Sequence, residues 1–226
     1  MEHDLWEAMH DMIQEVSQKE FVDGHYVAAS RSAFLKVNTR VKSLREQIDG
    51  CMKDGVTLMQ NTFAYNDNRN EAILPVVSSE GITPKEFISR QNGFRDLFSG
   101  SISAIRNPIC HDDVAIGKHE AIRNLMLASL LMYKIDDSIS LKGKALIEDK
   151  IQNMSANEIE EFFEDFFPEY ESNMLYKYHV ENKRGIDLLF DRSSYDDEVR
   201  RMSAHDILTR AYMRYGRYLY EPISLS

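Results

Sequence analysis

Apolar residues return every three or four positions along most of the first 135 residues. Trp6, Met9, Ile13 and Val16 keep that period, which predicts a helix from about Asp4 to Lys19. Val27, Phe34, Val37, Val41, Leu44 and Ile48 form a longer stripe and predict a second helix from about His25 to Ile48. Arg31, Arg40, Lys42 and Arg45 lie off that stripe, where a solvated face is expected. The near-heptad spacing lasts only about three heptads, which fits a helix packed in a bundle better than a coiled coil.

The pattern weakens from Asp49 to Glu80, where a turn at Asp54-Gly55, a short helix around Leu58, Met59 and Phe63, and an exposed loop are expected. It resumes sharply at Thr83-Pro84-Lys85-Glu86. Threonine caps, proline suits the first helical position, and glutamate stands at the capping-box position. Phe87, Phe94, Leu97, Phe98, Ile102 and Ile105 give this third helix its buried face as far as Arg106. Pro108 disfavours helix at Asn107 and lacks a donor, so a stop or bend is expected there. A fourth, strongly apolar helix runs from Lys118 to about Asp136 and reads as the most buried of a bundle.

From Ser138 the texture changes. Capped helices are predicted after Ser155, stopped by Pro168, and after Ser203. The segment from Gly185 to Asp197 reads as a short strand or an irregular turn. The expected organisation is an all-α chain, with a helical domain over 1–137 and a mainly helical C-terminal domain over 138–226.

Composition narrows the classes. Apolar residues make up 43% and charged residues 28%, as in a globular protein with a real core. No apolar run approaches the roughly 18 residues that would span a bilayer, and the acidic, amphipathic start does not read as a signal peptide. Cys51 and Cys110 give neither metal spacing nor a disulfide framework, which fits a reducing cytoplasm. The net charge of -10 argues against non-specific nucleic-acid binding, yet Arg31 to His111 carries 11 Lys and Arg against 8 Asp and Glu. No histidine has partners at metal-ligand spacing, so no metal and no cofactor are expected.

The chemistry lies in residues 106–111, Arg-Asn-Pro-Ile-Cys-His. Histidine moves protons near neutral pH, arginine offers a fork of donors matching a phosphate, and asparagine can orient either. Together they suit phosphodiester cleavage without metal, with the 2'-hydroxyl of RNA as nucleophile. By spacing alone the hexamer reads more simply. Arg106 is then a last-turn cation, Asn107-Pro108 a stop, and His111 a loop residue. His25 and His119 read as structural or exposed, and Asp112-Asp113 as capping or solvated residues.

The surrounding blocks change that reading. Phe21, Gly24, Tyr26 and Ala29 come first, then Asp54, Gly55, Leu58 and Met59. Gly93, Phe94, Leu97, Phe98, Gly100, Ala104, Ile105, Arg106, Asn107, Pro108 and His111 follow. In this order they resemble the HEPN superfamily, and within it the Ymh-type domains, over about residues 13–135. Ser101 departs from the smaller residue usual there. The C-terminal part resembles no family. The resemblance implies an antiparallel four-helix bundle that pairs as a homodimer and cuts RNA without metal. Carried over, His111 would be the general acid/base, Arg106 the phosphate contact and Asn107 the orienting residue. Arg31, Arg90 and Arg95 are candidates to lead RNA to the cleft.

The resulting expectation is a cytoplasmic endoribonuclease with a phage-defence or toxin role. A neighbouring regulatory or antitoxin protein is an expected partner, and a membrane is not. The acidic tail, with 17 Asp and Glu against 12 Lys and Arg from residue 139 on, could cover a basic cleft. Two alternatives stay open. One is a non-catalytic module binding RNA, a nucleotide or a partner protein. The other is a scaffold whose tail is the functional part.

Overall fold

The computed structural model of the chain describes residues 2–111, 115–151, 176–180 and 186–190. The chain is predominantly helical. It divides into two compact units, Met1–Ser138 and Ile139–Ser226.

The first apolar stripe is carried by two helices rather than one. α1 (Glu2–Glu7) and α2 (Asp11–Val22) are separated at His10, which caps α2. His10 Nδ1 accepts from the Met12 N–H at 3.1 Å, satisfying one of the orphan donors of the first turn. Trp6, Met9 and Ile13 are all buried across the break, so the period survives although the helix does not.

α3 (Tyr26–Asp49) follows a short turn, and its stripe is buried at Phe34, Val37, Val41 and Leu44. It ends at Gly50, whose φ of 68° is the left-handed cap that glycine adopts without a Cβ penalty. α4 (Gly55–Phe63) is the expected short helix. α5 (Pro84–Ser101) starts as its sequence directs, with Thr83 Oγ1 accepting from the Glu86 N–H at 3.3 Å. Between α4 and α5, buried Gln91 replaces a missing ladder. Its amide nitrogen donates to the Phe63 and Leu74 carbonyls, and its oxygen accepts from the Val76 N–H. α7 (Lys118–Ile151) begins where expected and continues past Asp136.

Side-chain pairings give the helix directions. Ser30 and Arg40 of α3 meet Asn124 and Asp136 of α7, so these two helices run the same way. Asn38 and Arg45 meet Asp54 and Thr62, so α4 also runs with α3. Phe63 stacks on Phe98 at 3.9 Å while Gly55 faces Ile102, so α5 runs against them. Phe34, Phe63, Phe98, Leu125 and Leu131 form the centre of the core.

Two arginines expected on a solvated face are buried instead, Arg40 at 5% exposure and Arg45 at 4%. Arg45 donates to Thr62 Oγ1 at 2.8 Å and to the Asp49 carboxylate. Arg40 Nη2 meets Asp136 Oδ1 at 2.6 Å, and His10 Nε2 meets Asp136 Oδ2 at 2.9 Å. The Met12 N–H points at His10 Nδ1, so the ring proton sits on Nε2 and donates to the carboxylate. Burial pushes the Asp136 carboxyl up, but the His10 hydrogen bond and the charge and hydrogen bond of Arg40 outweigh it, bringing it to about 2.

In the second unit, β1 (Tyr176–Val180) pairs antiparallel with β2 (Ile186–Phe190), with Tyr178 opposite Leu188. The all-α expectation is corrected at these ten residues, where the strand alternative holds for Ile186–Phe190. The helices expected after Ser155 and Ser203 lie outside the described residues. Among the described residues, no helix is long and apolar enough to cross a membrane.

Candidate functional site

The residues from Ile102 to His111 do not stop as a helix. α5 passes into a five-residue π segment, Ile102–Arg106, and then into α6, Asn107–His111. Pro108 explains why. In a continuous α-helix its missing N–H would strip the Ala104 carbonyl of a partner and its ring would crowd that carbonyl. Here the Asn107 N–H bonds the Ile102 carbonyl, the i to i-5 pattern of a π turn. Pro108 then occupies the first turn of α6, where an absent donor costs little. The stop or bend expected at Pro108 takes the form of a widening, and residue 111 ends a helix rather than standing in a loop.

This widening carries Arg106. The side chain is half-buried, and Nη1 donates to Asn107 Oδ1 at 3.1 Å. Nε is buried and makes no hydrogen bond among the described residues. A buried donor left unmatched costs about 1–3 kcal/mol, which is rare without a functional reason. Along α6, residue 111 lies four positions after Asn107 and so one turn on, on the same helix face. The side chain of His111, and Asp112 and Asp113, lie outside the described residues.

Two further segments converge on this turn. From α3, the guanidinium of Arg31 donates twice to the Ile109 carbonyl, from Nε at 3.1 Å and Nη2 at 2.8 Å. The last carbonyls of any helix lack internal partners, and Arg31 supplies one for α6. From the start of α4, Gly55 comes within 4.0 Å of the Ile102 side chain, measured from the place a Cβ would take. Asp54 is fixed there by Asn38 Nδ2 at 2.6 Å, while Asn38 Oδ1 accepts from the Gly55 N–H at 3.1 Å.

The Asn38 hydrogen bond holds the Asp54 carboxyl below the usual carboxylate value. Burial pushes the other way, and the Gly55 N–H and the positive charges of Lys42 and Arg106 add to the lowering. An ionised carboxylate thus shares its surroundings with Arg106. The sequence pattern contained Asp54 and Gly55 but gave no reason to place them beside a residue some 50 positions later.

The other two expected RNA-binding arginines sit elsewhere. Arg90 lies on the exposed face of α5 and pairs with Glu86 at 2.7 Å. Arg95 pairs with Asp96 at 2.8 Å and donates to Asn92 Oδ1 at 3.3 Å. At about 1.5 Å per residue they stand roughly 24 and 16 Å back along the axis from Arg106. Arg31 alone of the three reaches the 106–111 turn. His25 precedes α3 and meets Glu20 in an exposed pair at 3.0 Å, and His119 is exposed in the first turn of α7. No group of three or more His, Cys, Asp or Glu able to hold a metal occurs among the described residues.

The chain matches no curated protein and no solved structure. A family model described as a protein of unknown function (Hypoth_ymh) matches residues 7–135. That stretch takes in the blocks around Phe21, Asp54-Gly55 and Arg106–His111, of which the last two meet in space, and it covers more than half of the chain, which therefore belongs to the Hypoth_ymh family.

Proposed function

We propose that the chain is a metal-independent endoribonuclease of the HEPN type, cytoplasmic and homodimeric, with a phage-defence or toxin role. The observation that carries this reading is the state of Arg106, held half-buried on a π turn with its guanidinium fixed by Asn107 Oδ1. The part of that guanidinium still accessible is suited to a phosphate oxygen. Asn107 steadies the guanidinium, and the helical spacing sets His111 one turn beyond it.

In this reading the 2'-hydroxyl of RNA attacks the adjacent phosphorus and the 5'-oxygen leaves. His111 moves the proton, and Arg106 stabilises charge on the phosphoryl oxygens. The products are a 2',3'-cyclic phosphate and a 5'-hydroxyl. The opposed helix directions of α3 and α5 support an antiparallel HEPN bundle, and Arg31 holds the catalytic turn through Ile109.

The test is to incubate the purified chain, Arg106→Ala and His111→Ala with total RNA in EDTA. Cyclic phosphate ends from the parent and none from folded variants are expected. Cleavage by either variant at the parent's rate would refute the assignment.

One observation favours a second reading, a non-catalytic module that binds RNA, a nucleotide or a partner protein. The Asp54 carboxylate, held ionised chiefly by the Asn38 hydrogen bond, also feels the charge of Arg106, and so competes with a phosphate for it. Absence of cleavage across varied RNAs, with binding retained, would select it.

A further inference from the structure

A concavity lies apart from the 106–111 turn. It is a cavity of about 450 Å³ between the end of α4, the segment after it and the middle of α5. Its size lies in the range of small-ligand sites. We propose that this cavity receives a single unpaired base of the RNA strand. The inference rests on RNA being the substrate and adds how a sequence would be chosen.

The polar groups of the lining define the ligand. Arg95 is already paired with Asp96, so the cavity carries little net charge and does not favour a phosphate. Asn61 Nδ2 is committed to the Thr57 carbonyl at 2.6 Å, which leaves Asn61 Oδ1 as an acceptor. Asn66 Oδ1 accepts from the Asn68 N–H at 2.9 Å, which leaves the Asn66 amide nitrogen as a donor. Exposed Gln60 adds an amide able to do either. Donors and acceptors on one uncharged wall match the mixed edge of a nucleobase.

Tyr65 supplies an aromatic surface, and its ring is braced edge-on against Phe87 at 5.9 Å. Base–aromatic stacking is the usual way single strands are held, and loops and unpaired segments are where RNA sequence is read. The cavity also lies at a useful distance. Arg95 and Arg106 are about 16 Å apart along the axis, a span of roughly five nucleotides at about 3.4 Å per stacked base.

The experiment uses the full chain carrying His111→Ala, so that RNA is not consumed. Fluorescence anisotropy is read with labelled eight-residue homopolymers of A, C and U, with AMP, CMP, GMP and UMP as competitors. One homopolymer should bind best. Tyr65→Ala should weaken it roughly 5- to 100-fold, and Gln60→Ala with Asn61→Ala should erase the preference. The last two residues are exposed, so that variant keeps the fold.

Unchanged affinity and preference in both variants would overturn the proposal, as would no binding to any homopolymer. Competition by a mononucleotide stronger than by the oligomer would replace it with a free-nucleotide site. Cleavage by the parent with pocket variants that bind normally would sink this inference alone. Pocket-dependent binding without cleavage would sink the ribonuclease reading alone.

Discussion

Replacing Asp136 with asparagine keeps its size and removes its charge from between Arg40 and His10. The folded carboxyl sits at about 2, against about 3.9 for an aspartate in an unfolded chain. At about 1.36 kcal/mol per unit, the difference is about 2.5 kcal/mol of stability at neutral pH. Because the folded value is depressed, this contribution is whole above pH 4 and disappears as the pH falls from 4 to 2. The charge and hydrogen bond of buried Arg40 are already part of that difference, so it is also the loss expected of the neutral asparagine at pH 7. The single tryptophan, Trp6, is buried against Phe21 in the same unit, so its fluorescence reports the unfolding of this region. Urea unfolding of the full chain should show the parent more stable by about 2.5 kcal/mol at pH 7. The two curves should converge near pH 2. A loss below about 1 kcal/mol, or parallel pH curves between 4 and 2, would refute the account of this triad.

Three other outcomes are expected. Arg31→Ala removes both donors from the Ile109 carbonyl and should slow RNA cleavage about 10-fold by loosening the 106–111 turn, with RNA affinity and unfolding midpoint nearly unchanged; equal rates for parent and variant would contradict that role. Gly55→Ala forces a Cβ onto a φ of 59° and should cost about 1–2 kcal/mol in urea unfolding. The Ile102 side chain at 4.0 Å is an ordinary contact for that Cβ, so the cost to alanine is conformational rather than crowding. Gln91→Leu strips partners from Phe63, Leu74 and Val76 and should cost about 3 kcal/mol or more, with faster protease cleavage between residues 64 and 82; a stability within about 0.5 kcal/mol of the parent would show the segment does not depend on it.

Local rules read well from the sequence wherever the cause is local. Thr83-Pro84-Lys85-Glu86 starts α5, and the stripe from Phe34 to Leu44 is buried as its period required. Polar residues whose partners are remote were not legible. Arg40 and His10 look solvated until Asp136, 96 and 126 positions away, comes to meet them. Arg45 is likewise explained only by Thr62 in another helix. Within the candidate site, Arg106, Asn107 and His111 were readable as a motif, and Arg31 as a candidate. That Arg31 grips Ile109, and that Asp54 stands near Arg106, depends on how three helices pack. Pro108 was read as a stop or bend because the rule against proline assumes α spacing, and a π turn changes which carbonyl needs a donor.

That turn has a bearing on how the motif should be compared between relatives. A π turn holds one residue more than the α turn it replaces. A helical wheel drawn continuously from α5 through α6 therefore misplaces everything after Arg106 by roughly one residue's worth of rotation, about 100°. Projected that way, Asn107 is assigned a direction about 100° from its own. Deleting one residue between Ile102 and Arg106 should turn the widening back into an α turn with the flanking helices facing as they do now, whereas straightening it with no residue lost would swing the motif around the axis. A one-residue gap here in a relative marks a plain α turn in place of the widening, which identity within the hexamer does not report.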